Sequence, residues 1–544
     1  MSVNIVERIK LLLGNRANII KESPITQGTE GFEQKILCQI KVRDTESIGL
    51  ILKLANEVAA DPDYAFSIHP ISTGQNWGYG SATPNKSDKP IVVLDLKGLN
   101  AIIDFDPASG LCTLQPGVTQ QQLYDYLQEN ELPFMVPVTG AGPTCSLLSN
   151  ALERGYGITP IADHFSALTQ LKGYLPTGDF YSSSLNCMDQ SQEKWVDKAY
   201  KWKHGPYLDG LFTQSGNMIV TEATLSLARK PQGFDSFYLR FYGEDSFKNA
   251  YDCTQQLFKQ LGGVVGGINV MDKTRVMAMV AENPQDKSLH KVMTDEQKAR
   301  LSDEHDIPEW TVVGTLYGSQ SIVKAAKREV RTISKPLADK CFFANSPIIH
   351  LARWICEHSS FSMLAPVKRQ LDSLTAATEI MLGKPNQIAL PLAYWRNPHV
   401  PPSQTSVLNP ARDNCGLLWY APLIPATIHA MQDFVAMVRS IAPKYNIEPL
   451  ITFTHASAFN IDSTVPLLFD LTNPDAKEDA HACLNALFEA GIKKGFVPYR
   501  LNLKQQEQLD ADAVFWQTAG KVASALDPNQ VLSPARYNPV LPRI

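Results

Sequence analysis

No lysine or arginine run interleaved with aromatics occurs in the 544 residues, and the formal charge is only -5. The chain therefore lacks the electrostatic footprint of a nucleic-acid or membrane-surface partner. Long apolar runs are missing as well: no stretch approaches the roughly 20 residues of a membrane span. The opening residues, MSVNIVERIKLLLGNRANII, mix charges with apolar residues and lack the basic start, apolar run and small-residue cleavage site of a secretory signal. Nine cysteines are scattered from Cys38 to Cys483 without a CxxC pair, which excludes the spacing of a zinc site and argues against a disulfide framework. Free thiols in a reducing compartment are expected, with the protein in the cytoplasm and no metal.

What is present is core-forming residue: 44% hydrophobic against 19% charged, enough at this length for two or three lobes. Residues 44 to 60 align Ile48, Ile51, Leu52, Ala55 and Ala59 on one face behind Asp44 or Thr45, the pattern of a capped amphipathic helix. Three β-rich runs follow, IVVLDL at 91, AIIDFD at 101 and LCTLQPG at 111. They are separated by too few residues for helical crossovers, so antiparallel pairing is expected. Residues 119 to 130 return to helical spacing through Leu123, Tyr126 and Leu127. Beyond about residue 230 strand and helix alternate: YLRFYG then SFKNAYDCTQQLFKQL, WTVVGTLYG then SIVKAAKREVRTIS, GLLWYAPL then a helix near 426 to 441, strands near 450 to 454 and 464 to 470, and a helix near 476 to 490. That alternation predicts a second sheet with helices on one face. The chain is expected to be α+β.

Two glycine-rich segments bear on chemistry. PISTGQNWGYGSA, from Pro70 to Ala82, follows a strand and sets Gly74, Gly78 and Gly80 among Ser72, Thr73, Gln75 and Asn76. Glycines let backbone N–H groups crowd a pyrophosphate, although a plain surface turn reads equally well from this segment alone. Neither a Walker A loop nor a GxGxxG fingerprint is present. VTGAGPTCSLLSNALERGYGITPIADHF, from Val138 to Phe165, places Gly140 and Gly142 before a short helix whose first amides suit phosphate oxygens. Two such segments in one lobe favour a dinucleotide.

These runs, with VLDLKGLN, QPGVTQQQLYDYL, GPYLDGLFTQSGNMIVTEATL, AYWRNP, GLLWYAPL, LITFT, PYRLN and LDPNQVLSPARYNP, resemble the vanillyl-alcohol oxidase and p-cresol methylhydroxylase family of flavoproteins over almost the whole chain. The resemblance is weakest between about 270 and 385. It implies a PCMH-type FAD-binding domain formed from both chain ends, 1–230 and 497–544, and an α+β cap domain, 231–496, with an antiparallel sheet covered by helices. FAD is the implied cofactor, held by Ser72, Thr73, Gly74, Gln75, Asn76, Gly78, Tyr79, Gly140, Gly142, Ser146, Ser149, Asn150, Gly155, Ile219, Val220, Arg500 and Arg536. The catalytic set carried over is Tyr79, Tyr499, Arg500 and Asp163, with Thr452 and Trp419 lining the substrate pocket. By the same resemblance two tyrosines and an arginine hold a phenol as its anion, a hydride leaves the para benzylic carbon, and a quinone methide remains. Asp163 falls where the family has an aspartate beside flavin N5, a role for which a buried carboxylate is suited. Read without the resemblance, Asp163 is a loop aspartate capping a turn, and His164 beside it is structural. A small aromatic substrate, O2 or another electron acceptor, and a homodimer are further implications.

The sequence also departs from the family. Leu417 stands where vanillyl-alcohol oxidase has the histidine that bonds to the flavin, and residues 402 to 418 contain no tyrosine, so non-covalent FAD is expected, with His399 the one nearby residue able to overturn this. The family's Met-His-His run is replaced by Phe459, Asn460, Ile461 and Asp462, which points to an altered substrate. Rival readings are a relative oxidising a non-phenolic alcohol or lactone, and a flavin-binding protein without turnover.

Overall fold

The computed structural model describes residues 4–21, 28–75, 77–158, 160–285, 290–345, 349, 354, 365–397, 399 and 407–541. Three sheets organise the chain. The first contains β1 (Ala17–Lys21), β2 (Cys38–Val42), β3 (Ser67–Ile71) and β4 (Ile91–Asp95), in the order β1-β2-β4-β3. Helices Ile5–Leu13 and Glu46–Glu57 pack against it through Ile9, Leu13, Ile48, Ile51, Leu52 and Ala55. The amphipathic face read from the sequence is thus the buried one.

The antiparallel expectation for the runs at 91, 101 and 111 requires a correction. β4 pairs in parallel with both β2 and β3, and every one of its positions is buried, as befits a strand covered on both faces. Only the second and third runs, β5 (Ile102–Asp106) and β6 (Leu111–Leu114), form an antiparallel pair. They belong to the second sheet, completed by β7 (Leu168–Tyr174), β8 (Phe180–Tyr181) and β9 (Ile219–Ser226) in the order β5-β6-β9-β7-β8. The chain therefore changes sheet within the short turn after β4.

The chain's other end returns to the first sheet. The Ile68 amide donates to the Val531 carbonyl at 2.7 Å and the Ser533 amide to the Ile68 carbonyl at 2.9 Å, while Val531 and Leu532 enter the same core.

The third sheet has nine strands: β10 (Gly233–Phe241), β11 (Val265–Asp272), β12 (Trp310–Gly318), β13 (Lys340–Phe343), β14 (Cys415–Tyr420), β15 (Pro422–Ile424), β16 (Thr452–His455), β17 (Ile461–Asp470) and β18 (Val497–Pro498). Their order is β13-β10-β12-β11-β16-β17-β15-β18, with β14 also on β17 and every pairing antiparallel. Helices Ser246–Leu261, Gln320–Ser334, Ile428–Ile441 and Pro474–Lys493 bury their apolar stripes with Phe237, Val270, Phe453 and Val465 in one core. β18 lies on the C-terminal side of the boundary expected at 496/497 and pairs with β15 of this sheet.

Strand alternation then decides what the opposite face presents. Thr452 pairs with Thr464 and Thr454 with Asp462, while Asn269 and Met271 of β11 stand beside Thr454 and Thr452. These six share the face turned away from the helices. Asn269, Met271, Thr454 and Thr464 are only half-buried, whereas Ile268, Val270, Phe453 and Val465 on the core face are sealed.

Candidate active site

Tyr79 is positioned by the loop after β3. Gly78 adopts φ +87°, and a Cβ there would lie 2.1 Å from Trp419 Cδ1, so only glycine lets the indole lie against the loop. The Trp419 amide donates to the Gly78 carbonyl at 3.1 Å, and the Gly78 amide donates to Thr29 Oγ1 at 3.0 Å. Tyr79, next in the chain, is held at 8% exposure.

Tyr499 and Arg500 follow β18 and meet it. The hydroxyls of Tyr79 and Tyr499 are 3.3 Å apart, and the Arg500 guanidinium lies 4.4 Å from the centre of the Tyr79 ring. Tyr156 closes on Tyr499 edge-to-face, with ring centres 5.1 Å apart. Burial drives both hydroxyls well above the ordinary phenol range, opposed by the Arg500 charge. Both tyrosines are therefore neutral donors at physiological pH.

Arg500 is 3% exposed and is anchored by Glu153, whose Oε2 lies 3.1 Å from its Nε; its Nη2 donates to Ser81 Oγ at 3.3 Å. Arg536 grips the other Glu153 oxygen. Burial alone would raise the Glu153 carboxyl, but the Arg536 and Arg500 charges together hold it below its usual value. Two guanidiniums against one carboxylate leave a net positive charge.

That charge borders a cleft of about 1080 Å³ including its open mouth. The cleft gathers Ser72 to Gln75 from the first glycine-rich segment, Ser146, Ser149 and Asn150 from the second, Ile219 and Val220 from β9, and Arg536 from the C-terminal segment. Gly74 has φ +69° with open space where a Cβ would stand. Loop amides, serine hydroxyls and one guanidinium are the donor set a dinucleotide's phosphates need, so the residues present fit FAD.

Other expected cofactor residues are placed differently. Gly140 and Gly142 do not line the cleft; added Cβ atoms would lie 3.1 Å from Ala389 Cβ and 3.0 Å from Leu390 Cδ1, so these glycines admit the segment Leu390–Tyr394. Gly155 makes room for the Asn150 side chain, 2.1 Å from where its Cβ would be. Gly78, Tyr79 and Arg500 stand beside the cleft, the last joined to it through Ser81 and Glu153, which do line it. Asn76 lies outside the described residues.

Asp163 does not have the burial expected of it. It is exposed and its carboxylate accepts the Ser166 amide at 3.1 Å, the turn-capping arrangement. His164 is buried, with Nδ1 2.6 Å from the Asn150 amide nitrogen, and burial lowers it to about 4, leaving it neutral. The buried carboxylate is Asp462 instead. It is 5% exposed, its Oδ1 has no hydrogen-bond partner among the described residues, and burial pushes it up to about 8. Its charge acts on Tyr79, Tyr156 and Tyr499. The sequence singles it out only as part of the run Phe459 to Asp462 that departs from the family; the pairing of β16 with β17 brings it to the tyrosines.

Leu417 is buried, with its amide on the Thr29 carbonyl at 3.0 Å. His399 is an exposed residue 3.0 Å from Thr472 Oγ1 and 3.6 Å from Asp470, at the end of β17, and does not line the cleft. Thr452 Oγ1 accepts from Arg275 Nε at 3.2 Å. Among the described residues no group of histidines, cysteines or acids could hold a metal ion, and no helix is long and apolar enough to cross a membrane.

Residues 37–183 match the family model described as FAD binding domain. The chain is 30% identical over 485 residues to 1'-carboxy-chondrochloren decarboxylase of Chondromyces crocatus, covering 88% of this chain and 86% of that protein. It is 27% identical over 542 residues to the flavoprotein subunit of 4-cresol dehydrogenase [hydroxylating] of Pseudomonas putida, covering 98% and 94%. The crystal structure of p-cresol methylhydroxylase with substrate bound superposes with a TM-score of 0.82 at 25% identity, over 98% of this chain and 96% of that one. The isoeugenol complex of 4-ethylphenol oxidase from Gulosibacter chungangensis gives the same TM-score and coverage at 21% identity.

Proposed function

Because this chain belongs to the p-cresol methylhydroxylase and vanillyl-alcohol oxidase family of FAD-dependent oxidoreductases, we propose that it removes a hydride from the benzylic carbon of a para-substituted phenol, a 4-alkylphenol or a 4-hydroxybenzylic alcohol. The observation that carries this reading is the convergence of the Tyr79 and Tyr499 hydroxyls, 3.3 Å apart, beside the Arg500 guanidinium.

A free phenol ionises near pH 10, and only its anion pushes electrons strongly toward the para carbon. A hydrogen bond to a charged group contributes roughly 1.5 to 3 kcal/mol, so two neutral tyrosine donors and a guanidinium suffice to hold a bound phenol as phenolate at neutral pH. Bound FAD supplies the two-electron acceptor for the hydride, which leaves a quinone methide in the pocket. Arg500 gives the phenolate its counter-charge, and Glu153 fixes that guanidinium in place. Below pH 8 Asp462 is protonated, so it adds no negative charge beside the phenolate; Asp163, at the exposed edge near Tyr156, is a second acid assigned to proton transfer. Trp419 and Thr452 line the substrate side. We assign non-covalent FAD on the strength of Leu417 and the placement of His399. The electron acceptor is O2 or a redox partner, and the protein is assigned as a cytoplasmic homodimer; free cysteines support the compartment.

A second reading is favoured by the decarboxylase relative. A carboxylate on the carbon next to the benzylic one leaves the quinone methide as CO2. The C–C bond pair becomes the new double bond, and the ring returns to phenolate.

The test is anaerobic mixing of the FAD-loaded protein with 4-ethylphenol and 4-hydroxybenzyl alcohol, followed at the oxidised flavin band. Bleaching supports phenol oxidation, and admitting air identifies or excludes O2 as acceptor. A flavin that dithionite reduces but no phenol bleaches would return the search to non-phenolic alcohols.

A further inference from the structure

On the half-open face of the nine-stranded sheet, the Arg275 guanidinium forms no salt bridge among the described residues; the Asp272 charge nearby acts on it only at longer range, against the effect of burial. Arg275 lies in the first turn of helix Lys273–Val280, where Asp272 caps its amide at 2.9 Å. The Asp272 carboxylate is otherwise engaged: the same oxygen accepts the Ile451 amide at 3.1 Å and the other lies 3.5 Å from Arg439 Nη2. Among the described residues the Arg275 guanidinium donates only to the neutral Thr452 hydroxyl, at 3.2 Å, and its Nη1 is shielded from solvent with no hydrogen-bond partner. Leaving a guanidinium donor dry and unpaired costs several kcal/mol, and the planar fork is shaped for a carboxylate's two oxygens.

Its place on the sheet says what would bring that carboxylate. Thr452, Thr454, Asp462 and Thr464 point to one side; Asp462 reaches electrostatically to Tyr79 and Tyr499, and Thr452 reaches Arg275. Asp462 sits opposite Thr454, and Thr452 is one two-residue strand step beyond, roughly 6.6–6.8 Å. A phenol ring held at the tyrosines and a short side chain along the threonines cover that span.

We propose that Arg275 is the binding group for a carboxylate on the substrate's para side chain, so that the preferred substrates are 4-hydroxyphenyl compounds with an acidic tail. This rests on the phenol reading above and narrows its substrate class. A structural arginine that merely braces Thr452 would treat charged and uncharged tails alike.

The experiment compares reduction of the flavin in the holoenzyme by 3-(4-hydroxyphenyl)propanoate, its methyl ester and 4-propylphenol, in wild type, Arg275→Lys and Arg275→Met. The expected result is an apparent Kd at least tenfold lower for the acid than for the ester in wild type. Arg275→Met should lose this preference entirely, leave 4-propylphenol within about threefold, and be partly rescued in Arg275→Lys. Equal affinity for acid and ester in wild type overturns the proposal without needing any variant, as does an equal loss on all three probes in Arg275→Met. Failure of all three to bleach the wild-type flavin would instead remove the phenol reading itself, and the inference with it.

Discussion

Replacing Asp462 by asparagine keeps the side-chain shape and removes the ability to ionise. Burial moves this carboxyl from 3.8 to about 8, so between those values the folded protein holds a proton that the unfolded chain has released. Stability must therefore fall as pH rises through this window; the loss is absent below pH 4 and complete above pH 8. Each tenfold change in acidity is worth about 1.36 kcal/mol, which sets a ceiling of roughly 6 kcal/mol on the penalty at alkaline pH. Water entering the pocket on ionisation reduces it. At about 2 °C per kcal/mol, wild type and Asp462→Asn should melt together near pH 4 and separate by up to roughly ten degrees by pH 9, with the variant the more stable. Asp209 and Asp272, which burial pushes up to about 6, titrate in both proteins and cancel in the difference. Thermal unfolding of the two holoenzymes from pH 4 to 9 decides it: a Tm difference that stays constant across that range refutes the account of Asp462. The same logic applies to turnover. Ionised Asp462 opposes a phenolate at the tyrosines, so wild-type phenol oxidation should decline above pH 8 and the asparagine variant should not share that limb.

Tyr499→Phe deletes one of the two hydroxyl donors and should slow flavin reduction by 4-ethylphenol by roughly 10- to 100-fold, the equivalent of a charge-assisted hydrogen bond of about 1.5–3 kcal/mol, as read by anaerobic stopped-flow. Glu153→Gln strips the counter-charge from Arg500 and Arg536 together; breaking such a buried pair costs about 3–5 kcal/mol, visible as a lower Tm and weaker FAD retention on gel filtration. Gly78→Ala forces a Cβ to 2.1 Å from Trp419 at φ +87°, so it should lower FAD affinity and stability together, by about 1 kcal/mol or more, in flavin titration and melting. Acid precipitation of the holoprotein should release the yellow cofactor into the supernatant; a flavin that stays with the pellet refutes non-covalent attachment.

Much of the architecture was legible because it is written in local periodicity. The face of helix Glu46–Glu57, the helix Gln120–Glu129 and the strand–helix alternation after residue 230 each follow from side-chain spacing within a dozen residues. The misreading at β4 has a local cause too: five buried apolar positions suit a parallel strand as well as an antiparallel one, and the short turn after it gives no sign that the chain changes sheet. The tyrosine pair could be named from the resemblance, since each member lies in its own motif.

Asp163 and Asp462 show where that kind of reading stops. Both are aspartates in polar-looking stretches, and the motif around Asp163 singles it out by position alone. Burial is not a property of a motif. It is created when β16 and β17 pair in a register that sets Asp462 opposite Thr454, and a shift of one residue would have turned that carboxyl into the apolar core. Arg275 is selected in the same way, by a helix start that aims it across the sheet at Thr452. The groups proposed to bind the phenol are thus local, and those proposed to surround its para side chain are products of register. Relatives that keep the tyrosines and the arginine are free to differ in substrate through the sheet face alone, and exchanging Asp462 and Arg275 should change which phenols are accepted before it changes whether phenols are oxidised at all.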